Sequence, residues 1–231
     1  MYKKAPSRKL PLAIILIVIL IISAAAIVYA TQFSQSSGTI KVGVHIGDTF
    51  TYRLTGESVL GSVDAVTPPG FSIYNDTDHY TVTVTKINGT QVSLETLWQL
   101  TNGTQTASSQ TIDLANGNKT DMNGFWALYP SNLNVGDLLS PKGYDEQIVN
   151  QTDTQTYGTI TRERNFWHIE NVFTDVNDPT GNTMRDDYIG IYFDRQTGML
   201  TTLTNIQYYN NPQYNLIITW QLVGTNVWTL Q

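Results

Sequence analysis

The sequence predicts an all-β domain, built as a curled antiparallel meander (a half-barrel or sandwich-like sheet) and preceded by one N-terminal transmembrane helix. Three observations predict this fold. Beyond residue 40, apolar and polar residues alternate with a period of two in several stretches, and turn residues separate those stretches. Before them, residues 10–30 form one apolar run without a charged residue.

The N-terminal 30 residues have the composition of a membrane anchor. Residues 1–9 form a basic tail with Lys3, Lys4, Arg8 and Lys9 and no acidic residue. The 21 residues that follow, 10–30, are long enough as a helix to cross a hydrocarbon layer of about 30 Å. Because the cations precede the apolar run, we expect a single-pass protein of the cell membrane with a cytoplasmic N-terminus and an extracytoplasmic C-terminal part.

Two alternatives to a retained anchor follow from the same residues. The tripeptide Val28-Tyr29-Ala30 has the small-residue spacing of a signal-peptidase site before Thr31. A pilin-type leader, cut on the cytoplasmic side near Leu10, would instead make the apolar helix the core of a filament. The run is longer than the 7–15 residues typical of a signal peptide, which favours the retained anchor.

The exported part is acidic and has no cysteine. All 19 acidic residues and nine of the 13 basic residues follow the anchor, so this part disfavours nucleic acid as a partner. The acidic composition is more compatible with a partner of another kind, namely a protein, a carbohydrate, a cation or an apolar ligand. The absence of cysteine excludes disulfides, thiol catalysis and a lipid-modified cysteine. We interpret residues 31–39 as a polar linker and residues 40–231 as one β-domain.

Three stretches show the alternation most clearly, HYTVTVTK, QVSLETLWQL and YNLIITWQL. Each is predicted to be a strand with one apolar face. The residues expected on these faces are Tyr80, Val82 and Val84 in the first, Val92, Leu94, Trp98 and Leu100 in the second, and Tyr214, Leu216, Ile218, Trp220 and Leu222 in the third.

Turn residues between the strands predict their connections. They are Asn88-Gly89, Asn102-Gly103, Asn116-Gly117, the DRQTG stretch at 194–198 and the NNPQ stretch at 210–213. Tight turns join antiparallel neighbours, so we expect about eight to ten strands in a meander. Its apolar face must curl on itself, pack on a second sheet, or be covered by the loops at 57–77 and 115–150.

The order of six motifs resembles a group of archaeal single-pass, membrane-anchored extracytoplasmic proteins. These motifs are GDTFTY, TKINGTQVSLETLWQLTNGTQ, IDLANGN, GFWALYPSNLNVGDLL, YFDRQTGML and TNVW. The similarity spans most of residues 44–228 and consists of turns and strand starts, so the resemblance implies a fold and a location and carries no catalytic residue. By analogy of shape it also implies a half-barrel similar to the LolA-type lipoprotein carriers.

Five Asn-x-Thr tripeptides are candidate glycosylation sites. Their asparagines are Asn75, Asn88, Asn102, Asn118 and Asn150, all in predicted turns or loops on the exported side. Asn-Gly is also the preferred two-residue hairpin turn. For Asn88 and Asn102 both interpretations hold, because an exposed turn can also accept sugar. N-glycosylation is common among archaeal surface proteins, as the resemblance implies.

The stretch DVNDPTGNTMRDD at 175–187 is a weak candidate for calcium. Its oxygen-bearing side chains are Asp175, Asn177, Asp178, Asp186 and Asp187. Pro179 and Thr180 break the EF-hand pattern, so a solvated turn is the simpler interpretation. No other cofactor is expected.

The sequence contains no nucleophile elbow, zincin helix or phosphate-binding loop. Its histidines, His45, His79 and His168, are far apart in the chain, so a three-histidine zinc site requires that the fold bring them together. We therefore expect no enzymatic activity and a non-catalytic binding or structural role at the cell surface. The alternative is a carrier or solute-binding module, which predicts a cavity lined by Trp98, Ile218 and Trp220.

Overall fold

The computed structural model describes residues 40–121, 124–174 and 184–230. These residues form nine β-strands and one short 3₁₀ helix, Phe71–Tyr74. The strands are β1 (Thr49–Leu60), β2 (Thr77–Asn88), β3 (Gln91–Leu100), β4 (Gln105–Asp113), β5 (Gln151–Tyr157), β6 (Ile160–Thr174), β7 (Met184–Asp194), β8 (Leu200–Asn210) and β9 (Gln213–Thr225). The predicted all-β class is confirmed.

The nine strands form a single antiparallel sheet in the order β4-β3-β2-β1-β9-β8-β7-β6-β5. β1 to β4 are one meander, and β5 to β9 are a second meander that runs back toward the first. The two meet where β9 pairs with β1, for example at Leu54 and Trp220. A pure sequential meander would leave β1 and β9 at opposite edges, so this central pairing is a feature that local turn signals do not contain.

Alternation along the strands places one apolar face inward, as predicted. On β2, Val82 and Val84 are at most 1% exposed, and on β3, Val92 and Leu94 are fully buried. Leu222 on β9 joins the same core cluster. Successive side chains of a strand point to opposite faces, so a period of two in the sequence becomes one buried and one solvated face.

The long connection between β4 and β5 covers this apolar face. Its residues Phe125, Leu128, Leu139 and Val149 are at most 4% exposed and belong to the same core cluster as the strands. An isolated backbone bridge from Leu128 to Met199 ties it to the residue before β8, and a second bridge, from Leu138 to Ile148, lies within the connection. Of the predicted ways to cover the face, the connection predicted at 115–150 is therefore used.

The 3₁₀ helix covers a smaller part of the same face. Phe71 packs with Leu216 and Ile218 of β9, and its ring lies directly over Gly56 of β1. β1 itself extends to Leu60, so the predicted loop at 57–77 begins four residues later than expected. The strand continues because β9 pairs with it up to Tyr214.

The similar stretches HIGDTF and NVGDLL form the same type of turn. Gly47 and Gly136 have φ of 93° and 88°, and the aspartate after each glycine accepts a hydrogen bond from the backbone N–H three residues before it. A left-handed backbone favours glycine, which explains the shared Gly-Asp pair.

No helix among the described residues is long and apolar enough to span a bilayer. The predicted anchor, residues 10–30, and the predicted boundaries at residues 9, 30 and 39 lie outside the described residues.

Candidate ligand-binding cavity

A cavity of about 420 Å³ lies between the apolar face of the sheet and the segment that covers it. Strands on both sides of β1 line it, with β2, β3 and β4 on one side and β7, β8 and β9 on the other. Pockets for small molecules in proteins span about 300–1,000 Å³. Six aromatic rings contribute to the wall: Tyr74, Tyr80, Trp98, Phe125, Trp126 and Trp220.

Trp220 is the central ring of this wall. Its centroid lies 4.8 Å from that of Tyr80, 6.1 Å from Tyr52 and 6.4 Å from Phe125. Edge-on and tilted contacts at such distances are the favourable geometries for aromatic pairs. The ring is therefore held in position by β1, β2 and the covering segment together.

Trp98 is held by a different contact. Its indole Nε1–H donates to the hydroxyl of Thr77 over 2.8 Å, and that hydroxyl donates to the carbonyl of Ile73 at the 3₁₀ helix over 2.8 Å. Thr77 is 7% exposed. The polar edge of the indole is thus satisfied inside the fold, which leaves the ring to line the cavity.

The polar groups in the wall are neutral. Thr96 and Ser108 hydrogen-bond to each other over 2.8 Å. The side-chain oxygen of Asn205 is buried and has no partner among the described residues. Of the described side chains that line the cavity, none carries a formal charge. Burial raises the pKa of both Tyr74 and Tyr80, so these phenols stay protonated at neutral pH.

The covering segment is tied to the turn between β7 and β8. The N–H of Leu200 donates to the carbonyl of Ala127 over 3.1 Å, and the N–H of Tyr129 donates to the carbonyl of Gly198 over 3.0 Å. Phe125 and Trp126 precede these anchored residues. The position of two wall residues therefore depends on this turn.

The structure places Trp98, Ile218 and Trp220 in the cavity wall, the three residues that the carrier hypothesis names. Sequence reasoning did not assign Phe125 and Trp126 to the cavity. Their segment has no period, because it is neither helix nor strand. The available signal was an apolar FWALY run between Gly124 and Pro130, too short for a helix and without alternation.

All five candidate glycosylation asparagines are exposed, but their side chains differ in what they bind. Asn75 holds the backbone of Gly56 at both ends: its Nδ2 donates to the carbonyl over 2.7 Å and its Oδ1 accepts from the N–H over 2.9 Å. Asn102 uses only Oδ1, which accepts from the N–H of Thr104 over 2.9 Å. Asn88 ends β2 directly before Gly89.

The remaining two asparagines lie at opposite ends of the β4–β5 connection. Asn118 follows the turn at Gly117, and Asn150 directly precedes β5. The Oδ1 of Asn150 accepts a hydrogen bond from the N–H of His168 over 3.0 Å.

Three of the five calcium-candidate residues, Asp175, Asn177 and Asp178, lie outside the described residues. Asp186 and Asp187 are neighbours on β7, where alternation directs their side chains to opposite faces. Asp187 forms an ion pair with Arg185 over 2.7 Å. Among the described parts of the chain, no group of three potential metal ligands comes together.

The histidines have separate local partners. His45 lies beside Asp48, His79 contacts Asp78 over 2.8 Å, and His168 lies beside Asn150. The described part of the chain does not bring all three together as a metal site.

Over residues 40–121, 124–174 and 184–230, the fold and the cavity define an all-β domain with one nine-stranded antiparallel sheet and a partly open, largely apolar cavity. No protein-family model matches the chain, and a search of curated proteins finds no match either.

Proposed function

We propose that this protein is a membrane-anchored, extracytoplasmic binding module that holds a small, mainly apolar and uncharged molecule in the cavity of about 420 Å³. The observation that carries the proposal is the wall itself, which combines six aromatic rings with few polar groups and no charged side chain among the described ones. Apolar molecules gain free energy when such a wall removes their surface from water.

The finer shape that fits this role is a half-barrel. In a flat sheet, six strand spacings of about 4.8 Å would separate β4 from β7 by roughly 29 Å. Residues of both strands line one cavity of about 420 Å³. We therefore infer that the sheet curls around the cavity and that the β4–β5 connection closes its open side.

The same neutral wall supports a non-catalytic role. Its titratable side chains are Tyr74 and Tyr80, whose pKa values burial raises. A group that stays protonated at neutral pH is a poor general base, whereas its hydroxyl remains available for hydrogen bonding. Holding a ligand without transforming it is the role that these groups suit.

The proposed location rests on the sequence. The basic tail of residues 1–9 and the apolar run of residues 10–30 support a retained helix with the β-domain outside the cell membrane. The acidic composition of the domain supports a partner other than nucleic acid. The resemblance to archaeal membrane-anchored extracytoplasmic proteins supports the same location.

Filling the cavity tests the proposed function. We expect Thr106→Phe, on the edge strand β4, to weaken binding of bromocyclohexane by at least about tenfold, equal to about 1.4 kcal/mol. Thr106 is exposed and lines the cavity, so a larger ring there occupies ligand volume without disturbing the core. Contact quenching of tryptophan fluorescence by the bromine reports binding, because three of the five tryptophans line the cavity.

The matched control is Ala107→Phe, the next residue of the same edge strand, which is also exposed and points to the opposite face. We expect it to bind bromocyclohexane as the wild type does. The full chain is measured in lipid nanodiscs, and the signal of nanodiscs without protein is subtracted. Unchanged affinity in Thr106→Phe, or equal losses in both variants, would contradict a ligand site in this cavity.

We propose sugar on Asn88 and Asn102, and we expect Asn75 to be unmodified. The Nδ2 that would carry the sugar already donates to Gly56 in Asn75, whereas Asn88 and Asn102 lie at exposed hairpin turns. Peptide mapping of the protein from its native membrane measures all five sites. A sugar on Asn75 together with bare Asn88 and Asn102 would refute this assignment.

The same mapping gives the mature N-terminus and so tests the anchor. A chain that begins at Met1 supports the retained helix. A chain that begins at Thr31 would show a released domain, and one that begins near Leu10 would support the filament alternative.

A further inference from the structure

A second cavity, of about 250 Å³, lies next to the first. Trp126 lines both cavities, so its ring forms part of the wall between them. The second cavity differs from the first in its chemistry, because Lys119, Asp113 and Asp145 contribute to its wall.

Two buried polar groups in this second wall have no hydrogen-bond partner among the described residues. They are the hydroxyl of Tyr129 and the indole Nε1–H of Trp167, both on side chains of residues that are 7% exposed. Burial raises the pKa of Tyr129, and the indole N–H of Trp167 lies near enough to the Tyr129 oxygen to lower that pKa by a smaller amount. The two groups still miss hydrogen-bond geometry with each other.

These groups indicate what the second cavity binds. The indole N–H can only donate, and the phenol O–H can donate as well. Burial raises the pKa of Tyr129, so the phenol keeps its proton at neutral pH. Buried donors without a partner are rare in folded proteins, and each one favours an acceptor. The wall of the second cavity therefore contains two buried donors, and each of them favours an acceptor oxygen.

The charges in the wall favour a neutral acceptor over an anion. Lys119 is the cation, and its pKa is lowered by burial. Asp113 and Asp145 contribute two carboxylates against it. The Asp113 carboxylate already accepts from the Thr90 hydroxyl over 2.7 Å and from the N–H of Ala115 over 3.0 Å, so it is held in place near the cavity. A carboxylate or phosphate would be repelled by this excess of negative charge.

We propose that the second cavity is a head-group site for an amphiphile whose apolar part lies in the first cavity and whose neutral carbonyl oxygen accepts hydrogen bonds from Trp167 and Tyr129. This inference rests on the proposed function and adds a ligand class to it, an ester or amide of an apolar chain. Trp126, which both cavities share, is the residue past which the ligand extends.

The test compares three ligands of equal chain length on the full chain in nanodiscs: bromododecane, the methyl ester of bromododecanoic acid, and the free bromododecanoate anion. Quenching of tryptophan fluorescence gives each Kd. We expect the wild type to bind the ester about tenfold more tightly than the hydrocarbon, the effect of satisfying buried donors. We expect the anion to bind more weakly than the ester.

Two variants remove the donors and keep the rings, Tyr129→Phe and Trp167→Phe. We expect each to reduce the preference for the ester from about tenfold to about threefold, because each donor supplies about half of the effect, with the Kd of bromododecane unchanged. The matched control is Trp228→Phe, since the indole N–H of Trp228 is also buried and without a partner among the described residues but lies outside both walls. It should keep the wild-type preference.

The outcomes separate this inference from the proposed function. If the hydrocarbon binds but the wild type does not prefer the ester, or if both donor variants keep the preference, the head-group site is wrong while the apolar cavity stands, and water serves the two donors. If bromododecane itself does not bind, the proposed function fails and the head-group site fails with it. Tyr129→Phe is nearly isosteric, so it remains informative if Trp167→Phe does not fold.

Discussion

Asp194→Ala is expected to lower the free energy of unfolding by about 3–5 kcal/mol, the usual cost of removing one partner of a buried ion pair. The Asp194 side chain is 1% exposed and binds Arg162 through two hydrogen bonds of 2.6 and 2.9 Å. It also accepts from the N–H and the hydroxyl of Thr197. The substitution leaves the Arg162 guanidinium, which is 11% exposed, without its carboxylate.

A second arginine–aspartate pair on neighbouring strands is the matched control. Arg164 and Asp153 form the same two-bond geometry, but the Asp153 side chain is 36% exposed. Because water reaches the Asp153 carboxylate, we expect Asp153→Ala to cost less than Asp194→Ala, about 1–3 kcal/mol, although Arg164 is only 12% exposed and also loses its carboxylate. Urea unfolding of the full chain, followed by tryptophan fluorescence, measures both variants. Similar losses for both would show that burial of the pair is not the source of its contribution.

Gly198→Ala is expected to cost about 2–5 kcal/mol, because two penalties act at one position. Gly198 has φ of 76°, and a left-handed backbone costs a residue with a Cβ about 1–2 kcal/mol. A Cβ at this position would also clash with the carbonyl oxygen of Tyr129. Overpacking of a well-packed site adds about 1–3 kcal/mol.

Gly136→Ala separates the two penalties. Gly136 has a similar φ of 88°, but a Cβ there meets no other atom within 4 Å. We therefore expect only the backbone cost of about 1–2 kcal/mol from this variant. The same urea titration measures the difference, which is the cost of the clash. An equal loss in both variants would mean that the covering segment moves freely away from Gly198.

The clash at Gly198 also links stability to binding. The carbonyl of Gly198 accepts from the N–H of Tyr129, so displacing this contact shifts the segment that carries Phe125 and Trp126. Both rings line the first cavity. We expect Gly198→Ala to weaken bromocyclohexane binding as well, whereas Gly136→Ala leaves it unchanged.

The sequence predicted the strands well where the alternation was strict. Val82, Val84 and Leu94 were expected on one face, and all three are buried. The hairpin at Asn88-Gly89 was also predicted, and Gly89 has the positive φ that such a turn uses. These features depend on residues within a few positions of each other, which is why a single sequence contains them.

The pairing of β9 with β1 could not be predicted in the same way. Thr51 and Gly224 are partners across this pair although they lie at opposite ends of the domain. The alternating pattern states which side chains face inward, but it does not state which strand lies beside which. The cavity depends on this choice, because strands on both sides of β1 line it.

The candidate sites divide along the same line. The Asn-x-Thr tripeptides are local, so the sequence located them. Only the fold shows that the Asn75 side chain donates to the carbonyl of Gly56, whereas the Asn102 side chain accepts a hydrogen bond within its own turn. The stretch at 175–187 is rich in aspartate. Its described residues Asp186 and Asp187 are consecutive on β7, so their carboxylates lie on opposite faces of the sheet.

By itself, the sequence determined the all-β class, the inward faces of the clearest strands and their hairpin turns, because those properties follow from the period and the local chemistry of neighbouring residues. Only the tertiary structure decided the strand order, the segment that covers the apolar face, the partner of Asp194 and the two cavities that share Trp126. Each of these joins residues that are distant in the chain, and their contacts form only when the whole sheet is assembled.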